Sequence, residues 1–496
     1  GDPITKEPLM HLCLELNEMG LLTGMKDLGG GGLSCVVGEL ALDAGFGAKV
    51  DLGKVHLKVE NMPPWEIWVS ESQERMMFTV TPKNVDKVLE ICNSWDVEAV
   101  SIGEVIAEKR NIVNYHGTEI LNLDLEFTTG GPVYKRPYNL PEYDIGNPSD
   151  LPPYPNDIKT QIINIINQPE VASKDWVIRQ YDHEVRGKTA LKPIQGPIGK
   201  EVPGDSSVIK PVDDSWKGLA LTSDVNPYLM EANPYHGTMS AVEEVCRNLA
   251  SVGARLDSLA DCLCFGNPRR PDIMGQFKAS CEALRDAATA VDVPYVSGNV
   301  SLYNETQEGA IPPTPVLMGI GLVNDIRKCV TSDMKSKGSI WLVGQTKEEM
   351  GASLYYRTLG LECAKVPSTN FKTFLPRMEQ LIQAIENEEV VACHDISNGG
   401  LALSIIEMCM SGIGAEITFD GQLRNDVELF SESNGRWIVQ VNPKYEDAFS
   451  KRFDFAKKIG DINEKIIFKN GNESIAQLTI EEIRDTWTKP IWNRLA

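Results

Sequence analysis

The sequence lacks the features that place a protein in a membrane or outside the cell. None of its apolar runs approaches the ~18–20 residues needed to span a bilayer. Its first residues show no basic segment followed by an apolar one, as a secretory signal would have. The 11 cysteines include no Cys-x-x-Cys pair and no zinc-ligand spacing with histidine. These absences predict a cytoplasmic protein with reduced thiols and no membrane partner.

Positive charge is also scarce. The 496 residues include 48 Lys and Arg against 70 Asp and Glu, a formal net charge of −22. This balance disfavours binding to the phosphate backbone of nucleic acids. With 42% hydrophobic and 24% charged residues, the composition is typical of globular proteins. At roughly 100–200 residues per domain, we expect three or four domains and no nucleic-acid partner.

One stretch of the sequence occurs twice. Residues 25–33, with Asp27 before four glycines, return as residues 393–401, with Asp395 in the same place. Three further blocks follow in the same order: 47–50 returns as 414–417, 69–75 as 430–436, and 102–105 as 459–462. Chance matches would not stay collinear. The repeat predicts two copies of one domain, B, over residues 1–129 and 333–496.

The residues between the copies differ from both. Seven prolines lie between residues 130 and 156, so we predict a Pro-rich linker over residues 130–179. Residues 180–332 form a different domain, A, in which Val293–Tyr303 is typical of a strand, a tight glycine turn and a second strand. Helical and strand patterns both occur, which predicts an α+β fold in the order B–A–B. A further A unit before Gly1 would complete two A–B pairs.

In the first copy, polar residues accompany the glycines. Asp27 precedes a Gly-rich loop and a helix start, where a carboxylate can hold Mg²⁺ and backbone amides can approach an anion. A capping Asp with a Gly-rich turn is the alternative. Glu71, Ser72 and Gln73 precede a predicted strand and suit hydrogen bonding to a polar ligand at its start. An exposed turn is the alternative. The loop is neither a Walker A motif nor a dinucleotide fingerprint.

The second copy and the A domain carry related motifs. Glu432 keeps the acid of the first copy, and Arg436 offers a guanidinium fork for a phosphate. In the A domain, Asp261 precedes a Gly-Asn-Pro turn, and Gly298, Asn299 and Ser301 lie together at the predicted tight corner. Turns with Asx hydrogen bonds are the alternative for both. No Ser-His-Asp or Cys-His set can be assigned from spacing, so we predict no catalytic nucleophile.

These motifs together resemble phosphoribosylformylglycinamidine synthase, the synthetase subunit of purine biosynthesis. The resemblance covers essentially the whole chain and is carried by Gly-Asp-Pro at the start, Asp27 with its glycines, Ser-Glu-Ser-Gln at 70–73, and the A-domain motifs at 261–268 and 297–305. The small bacterial and archaeal form, subunit II, is the most similar. Aminoimidazole ribonucleotide synthetase and selenophosphate synthetase share single motifs, but each is normally one A–B unit.

The resemblance implies a duplicated, aminoimidazole ribonucleotide synthetase-like architecture, with paired sheet-forming A domains flanked by α/β sandwich B domains. It implies a ligase in which ATP and Mg²⁺ activate formylglycinamide ribonucleotide as an iminophosphate, which ammonia converts to formylglycinamidine ribonucleotide. A glutaminase subunit and a small accessory subunit are the implied partners.

The family's site residues carry over by position. The implied Mg²⁺ ligands are Asp27 and Asn299, the ATP-binding residues are Asp261 and Gly298, and the substrate-binding residues are Glu71, Ser72, Gln73 and Ser301. Asp395 and Glu432 would line a second, pseudo-symmetric site, which in larger relatives holds a structural nucleotide.

Two departures from the family matter. Cys264 stands where the family usually has Asn. The family's N-terminal A domain, with its catalytic histidines, has no counterpart in this sequence. We therefore expect the chain to be the C-terminal portion of the enzyme and inactive alone. A non-catalytic, nucleotide-binding scaffold for a glutaminase complex is the alternative.

Overall fold

The computed structural model describes residues 3–131, 133–140, 151–361 and 365–495. The chain divides into two compact units, residues 1–135 (unit 1) and residues 136–496 (unit 2). Among the described residues, no helix combines the length and apolar character that crossing a membrane requires. Pro132 and residues 141–150 of the predicted linker lie outside the described ranges.

Unit 1 alternates helices with short strands. Its elements are α1 (Lys6–Glu18), β1 (Leu22–Asp27), α2 (Leu33–Asp43), β2 (Gly47–Asp51), α3 (Pro64–Val69), β3 (Met76–Val80), α4 (Val85–Ser94), β4 (Gly103–Ile106), β5 (Arg110–Tyr115), β6 (Thr118–Asp124) and α5 (Leu125–Gly130). Strands β1 and β3 form an antiparallel pair, and a second sheet has the order β4-β2-β5-β6. Helix α2 buries Leu33, Val36 and Val37 in a core shared with β2 and β5.

The predicted linker range also contains helices of unit 2. These are α6 (Ile158–Ile166) and α7 (Asp175–Ile178). Asp157 caps α6, because its carboxylate accepts hydrogen bonds from the backbone N–H groups at the helix start. Four isoleucines of α6 are buried in the core of unit 2. The described residues among the prolines, 133–140 and 151–156, lie in no helix or strand.

The first part of unit 2 is built on a six-stranded sheet. Its elements are β7 (Thr189–Leu191), β8 (Ile194–Gln195), β9 (Val202–Pro203), β10 (Ser207–Ile209), β11 (Gly218–Asp224), α8 (Pro227–Ala232), α9 (Pro234–Ser251), β12 (Arg255–Cys264), α10 (Pro271–Val291), β13 (Tyr295–Ser301), β14 (Glu305–Thr306), β15 (Gly309–Ala310) and β16 (Thr314–Val323). The sheet order is β13-β12-β16-β11-β10-β7. Gly319 lets α9 approach one face of the sheet, since a Cβ there would lie 2.3 Å from Cγ1 of Val245.

The predicted glycine turn within Val293–Tyr303 is wrong. Strand β13 runs without a break along the edge of the sheet, parallel to β12, and Gly298 lies in its middle. The glycine serves a close approach instead of a turn. A Cβ on Gly298 would lie 3.0 Å from Oδ1 of Asp261, the residue paired with it on β12.

The last part of unit 2 contains the second copy of the repeat. Its elements are β17 (Ser339–Val343), α11 (Leu354–Thr358), α12 (Phe371–Glu386), β18 (Val390–Asp395), α13 (Gly400–Cys409), β19 (Gly414–Phe419), α14 (Asn425–Phe430), β20 (Trp437–Val441), α15 (Glu446–Arg452), β21 (Ala456–Asn463), β22 (Ile466–Asn470), β23 (Glu473–Leu478), α16 (Ile480–Thr488) and α17 (Pro490–Leu495). Seven strands form one sheet in the order β18-β20-β17-β21-β19-β22-β23.

The two copies share their strand order except at one position. Strands β1 and β3 of unit 1 correspond to β18 and β20, and β4-β2-β5-β6 corresponds to β21-β19-β22-β23. In the second copy, the fully buried β17 pairs with both β20 and β21 and joins the two halves. The residues matching β17 would precede Gly1, and the strands described in unit 1 form two separate sheets.

This difference predicts unequal stability of the matching strands. In β20 every residue is buried, whereas in β3 every residue is only half-buried, and β3 pairs with β1 alone. We expect backbone amides of β3 to exchange with solvent at least about tenfold faster than those of β20, equivalent to ~1.4 kcal/mol in opening free energy. Hydrogen exchange read by mass spectrometry on the 1–496 chain measures both segments, and equal protection would contradict the expectation.

Candidate functional site

In the first copy, the glycine loop and the acidic loop meet. The backbone N–H of Gly31 donates a hydrogen bond of 2.8 Å to Oε1 of Glu71. Gly31 and Gly32 have φ of 75° and 54°, a region in which side chains are strained. A Cβ on Gly32 would lie 2.0 Å from the carbonyl oxygen of Ser70. The glycines therefore bring a backbone donor to the Glu71 carboxylate.

Arg75 fixes the shape of the acidic loop. Its Nε donates to the carbonyl of Ser72 at 2.8 Å, and its Nη2 donates to the carbonyl of Ser70 at 2.6 Å. Gln73 Nε2 donates to the backbone carbonyl of Glu71 at 2.9 Å. With the loop held in this way, Glu71, Ser72 and Gln73 are all exposed to solvent.

Asp27 lies at the end of β1, the strand that pairs with β3. Its side chain is exposed, and Gly29 follows closely enough that a Cβ there would lie 2.7 Å from Oδ2 of Asp27. The structure thus presents two accessible carboxylates within unit 1, one at the end of β1 and one on the loop that Gly31 and Arg75 shape. Such a surface can bind a cation and a ligand rich in hydrogen-bonding groups.

The second copy repeats this geometry. Gly399 and Gly400 have φ of 75° and 65°, and the N–H of Gly399 donates to Oε1 of Glu432 at 2.7 Å. Arg436 donates to the carbonyls of Ser433 and Ser431 at 2.8 and 2.6 Å, the same distances as Arg75 in the first copy. The repeat is therefore preserved in backbone conformation and hydrogen bonding as well as in sequence.

The predicted role of Arg436 in gripping a phosphate is wrong. Its side chain is completely buried, and its nitrogen atoms donate to the two loop carbonyls and to Oγ1 of Thr346 at 3.0 Å. Desolvation lowers the pKa of Arg436 to about 10. The guanidinium is structural, because its donors are used inside the loop.

The acid of the second copy is sealed from solvent. Glu432 is 6% exposed, and its Oε1 accepts a second hydrogen bond, of 2.8 Å, from the N–H of Leu354 at the start of α11. Burial raises the pKa of Glu432 to about 7, although the N–H groups of Gly399 and Leu354 act in the opposite direction. The α11 backbone occupies a donor position that an external ligand would need.

Asp395, the counterpart of Asp27, is 4% exposed. Its Oδ2 accepts a hydrogen bond of 3.1 Å from Nε of the buried Arg247. Its backbone N–H donates to Asp205, whose other oxygen lies 2.6 Å from Nδ1 of His394. Asp205, His394 and Asp395 place their ligand atoms within 4.8 Å of one another, so a metal ion is chemically compatible with them. Internal cationic groups already neutralise these carboxylates.

Asp205 and His394 were not predicted from the sequence to belong to this cluster. A signal for His394 was present, because it matches Lys26 in the repeat. Lys26 forms an ion pair with Glu39, and His394 Nε2 lies 3.0 Å from Oε2 of Glu407, which is the matching acid. The two carboxylates flanking His394 raise its pKa well above the usual value, against the effect of burial. The ion pair is conserved between copies even though the cation differs.

In the A domain, the predicted residues lie on paired strands but on two faces of the sheet. Asp261 is paired with Gly298, and the backbone N–H of Asn299 stabilises the Asp261 carboxylate, while burial raises its pKa overall. Because side chains alternate along a strand, Asn299 and Ser301 point to the opposite face, beside Cys262 and Cys264. Ser301 Oγ lies 3.3 Å from Oδ1 of Asn304.

Replacing Gly298 by Ala should displace Asp261. The added Cβ would lie 3.0 and 3.1 Å from the two carboxylate oxygens, so the Asp261 side chain must shift by a few tenths of an ångström. If Asp261 binds nucleotide, we expect the Kd of the ATP analogue AMPPCP with Mg²⁺ to rise about tenfold, or ~1.4 kcal/mol. Calorimetric titration measures this. Gly130→Ala is the control, since a Cβ there meets nothing within 4 Å. Equal affinities of all three proteins would contradict the role of this contact.

Glu432 should make stability depend on pH. Its pKa is raised from 4.5 to about 7 in the folded chain, so the folded state binds more protons than the unfolded state between these values. The stabilisation of the folded state by protonated Glu432 is fully present below pH 4.5 and is lost as pH rises to about 7. The loss is on the order of 3 kcal/mol.

We expect Glu432→Gln to remove this part of the pH dependence, because Gln keeps an oxygen for the N–H groups of Gly399 and Leu354. Chemical denaturation of both proteins between pH 4.5 and 7 is the measurement. Parallel pH profiles of the unfolding free energy in the two proteins would contradict the assignment.

Comparison with family models agrees with this organisation. The model of AIR synthase related protein, C-terminal domain, matches residues 1–116 and again residues 339–468. The model of AIR synthase related protein, N-terminal domain, matches residues 203–323. The order of the matches confirms the predicted α+β, B–A–B architecture.

Relatives match over almost the whole chain. Phosphoribosylformylglycinamidine synthase subunit PurL of Thermoplasma volcanium is 36% identical over 494 residues, and that of Thermococcus sibiricus is 38% identical over 491 residues. These alignments cover 98% and 97% of this chain, but 65% and 67% of the relatives.

Two solved structures of T. maritima PurL, one complexed with AMPPCP and one with FGAR, match with a TM-score of 0.67 each, at 26% and 25% identity. Each alignment covers 93% of this chain. The alignments cover 68% of the chain in the AMPPCP complex and 65% of the chain in the FGAR complex. The chain thus spans about two thirds of the length of the proteins it matches.

Proposed function

The chain belongs to the family of phosphoribosylformylglycinamidine synthase subunit PurL, and we propose that it carries part of an ATP-dependent ligase that converts formylglycinamide ribonucleotide to formylglycinamidine ribonucleotide. The exposed carboxylate of Glu71, held by the N–H of Gly31 beside Ser72 and Gln73, is the observation that carries the proposal.

The substrate role falls to the acidic loop of the first copy. Glu71, Ser72 and Gln73 expose a carboxylate, a hydroxyl and an amide, which together can hydrogen-bond the polar groups of a ribonucleotide. Arg75 supports this role because it holds the loop through backbone carbonyls while the three side chains remain exposed to solvent. The resemblance also implies a substrate-binding role for Ser301 of the A domain, and we include it in the proposal.

The nucleotide role falls to the edge of the A-domain sheet. The carboxylate of Asp261 lies over Gly298, whose missing side chain leaves room beside β13. T. maritima PurL has been solved in complex with AMPPCP, which supports ATP as the nucleotide for this chain.

The donor atoms proposed for Mg²⁺ fit a hard cation. Asp27 offers a carboxylate, Asn299 offers an amide oxygen, and a side chain at position 29 would crowd Oδ2 of Asp27, so the glycine there keeps the carboxylate accessible. When bound, Mg²⁺ would neutralise phosphate charge during transfer to the substrate. Asp27 in unit 1 and Asn299 in unit 2 are each proposed as a Mg²⁺ ligand, and no residue of the described chain is assigned as a nucleophile.

The chain's part in the chemistry is therefore binding and positioning. Activation of the substrate amide by ATP and attack by ammonia need the reactants held in line more than they need a covalent enzyme intermediate. We propose ammonia from a glutaminase subunit, with a small accessory subunit as a further partner, as the resemblance implies.

Ammonia-dependent ADP release tests this function. The reaction contains formylglycinamide ribonucleotide, ATP, Mg²⁺ and an ammonium salt, with the 1–496 chain and a chain extended upstream to the length of its relatives. We expect activity in the extended chain. In it, Glu71→Gln should raise the KM for the ribonucleotide by at least about tenfold, or ~1.4 kcal/mol of lost binding.

The matched control is Glu432→Gln, which makes the same chemical change in the sealed copy. It should leave the KM within about twofold of the parent, because the Glu432 carboxylate is buried within unit 2 and accepts from the N–H groups of Gly399 and Leu354. An extended chain that binds nucleotide but never releases ADP would replace the ligase with the scaffold. Equal effects of the two substitutions would contradict the assignment of Glu71.

A further inference from the structure

Two cysteines lie side by side on the A-domain sheet. Cys262 and Cys264 are separated by one residue on β12, so their side chains point to the same face. Their Sγ atoms are 3.8 Å apart, and both residues are half-buried. They are paired with Asn299 and Ser301 of β13, which places the thiols beside residues proposed for Mg²⁺ and substrate.

The separation of the sulfur atoms matches a metal-binding geometry. For two ligands at tetrahedral angles and a metal–sulfur bond of about 2.3 Å, the sulfur atoms lie about 3.8 Å apart. Cys262 and Cys264 already have this separation. Thiolates are soft ligands that favour zinc and similar ions over Mg²⁺.

A third group is available at the same place. Nδ2 of Asn299 lies 3.5 Å from Sγ of Cys262, so the amide contacts the sulfur directly. Rotation of the amide about its terminal bond would present its oxygen to the same position. Asn299 is exposed on the edge strand, and solvent can complete the coordination of an ion held there.

We propose that Cys262 and Cys264 form a two-sulfur site for a soft divalent metal ion, and that its occupation takes Asn299 away from Mg²⁺. On binding, each thiol gives its proton to solvent and each sulfur donates an electron pair to the ion. Nothing is oxidised or reduced. The second half of the proposal rests on the proposed function, because it needs Asn299 to serve Mg²⁺ and nucleotide.

Cadmium titration of the reduced 1–496 chain tests the site. The sulfur-to-cadmium charge-transfer absorption reports thiolate ligands, and competition with a chelator of known affinity gives the Kd. We expect Cys262→Ser and Cys264→Ser each to weaken one bound equivalent by at least about tenfold, because loss of even an outer partner of a metal ligand costs ~10–100-fold. Cys264→Asn, which introduces the residue usual in the family, should have the same effect.

Cys35→Ser is the matched control, since Cys35 is an exposed thiol elsewhere in the chain. It should leave the tight equivalent unchanged. Thermal melts identify any variant that fails to fold, and Cys264→Asn provides the comparison if a serine variant does. Equal cadmium affinity in the parent and both folded single variants would overturn the site.

A second titration tests the link to Asn299. One equivalent of Cd²⁺ should weaken binding of AMPPCP with Mg²⁺ to the parent, and have no effect on Cys264→Asn. Tight cadmium binding with unchanged nucleotide affinity would overturn the link. Absence of nucleotide binding in the metal-free parent would instead count against the proposed function, and the cadmium result would still decide the two-sulfur site.

Discussion

A hydrogen bond from a glycine N–H to a loop glutamate organises both copies of the repeated domain. Gly31 donates to Glu71 in unit 1, and Gly399 donates to Glu432 in unit 2, at 2.8 and 2.7 Å. Each donor is presented by a backbone with positive φ, which side chains disfavour. The glutamate is therefore positioned by main-chain geometry, and the arginine four residues further on fixes the loop that carries it.

What distinguishes the copies is access to this hydrogen bond. Glu71 faces solvent, whereas Glu432 is covered by the start of α11 and accepts a second N–H from Leu354. The difference extends to the neighbouring acids, because Asp27 is exposed and Asp395 is paired with the buried Arg247. The repeat counterparts of Leu354 and Arg247 would precede Gly1, so within this sequence the same loop geometry is exposed in the first copy and satisfied internally in the second.

The burial of charge in the second copy has an energetic cost that its partners offset. A buried ionic group is tolerated only when its hydrogen bonds are satisfied. Arg247 is 1% exposed and contacts three carboxylates, those of Glu243, Glu244 and Asp395. These contacts hold the pKa of Arg247 above its usual value despite desolvation. The second copy therefore retains its charged residues as an internal network instead of a binding surface.

Much of this organisation could be predicted from the sequence. The collinear repeat identified the two B copies, and the polar residues beside the glycines identified the acidic loops. Side-chain direction could not be predicted, because it depends on strand pairing. Gly298 lies in a sequence typical of a turn, but the structure places it within a strand. The Arg436 guanidinium suits a phosphate, but its N–H groups donate to loop carbonyls. Asp205 lies far from His394 in sequence, so their contact follows only from the fold.

The most direct test of the open and sealed copies is hydrogen exchange at the two glycine loops, with and without ligand. Formylglycinamide ribonucleotide, Mg²⁺ and AMPPCP are added to the chain extended upstream, and exchange is followed in peptides containing Gly31 and Gly399. The account predicts that ligand slows exchange at Gly31 and leaves Gly399, already protected, unchanged. Ligand-dependent protection at Gly399 with none at Gly31 would show that the copies had been assigned the wrong way round.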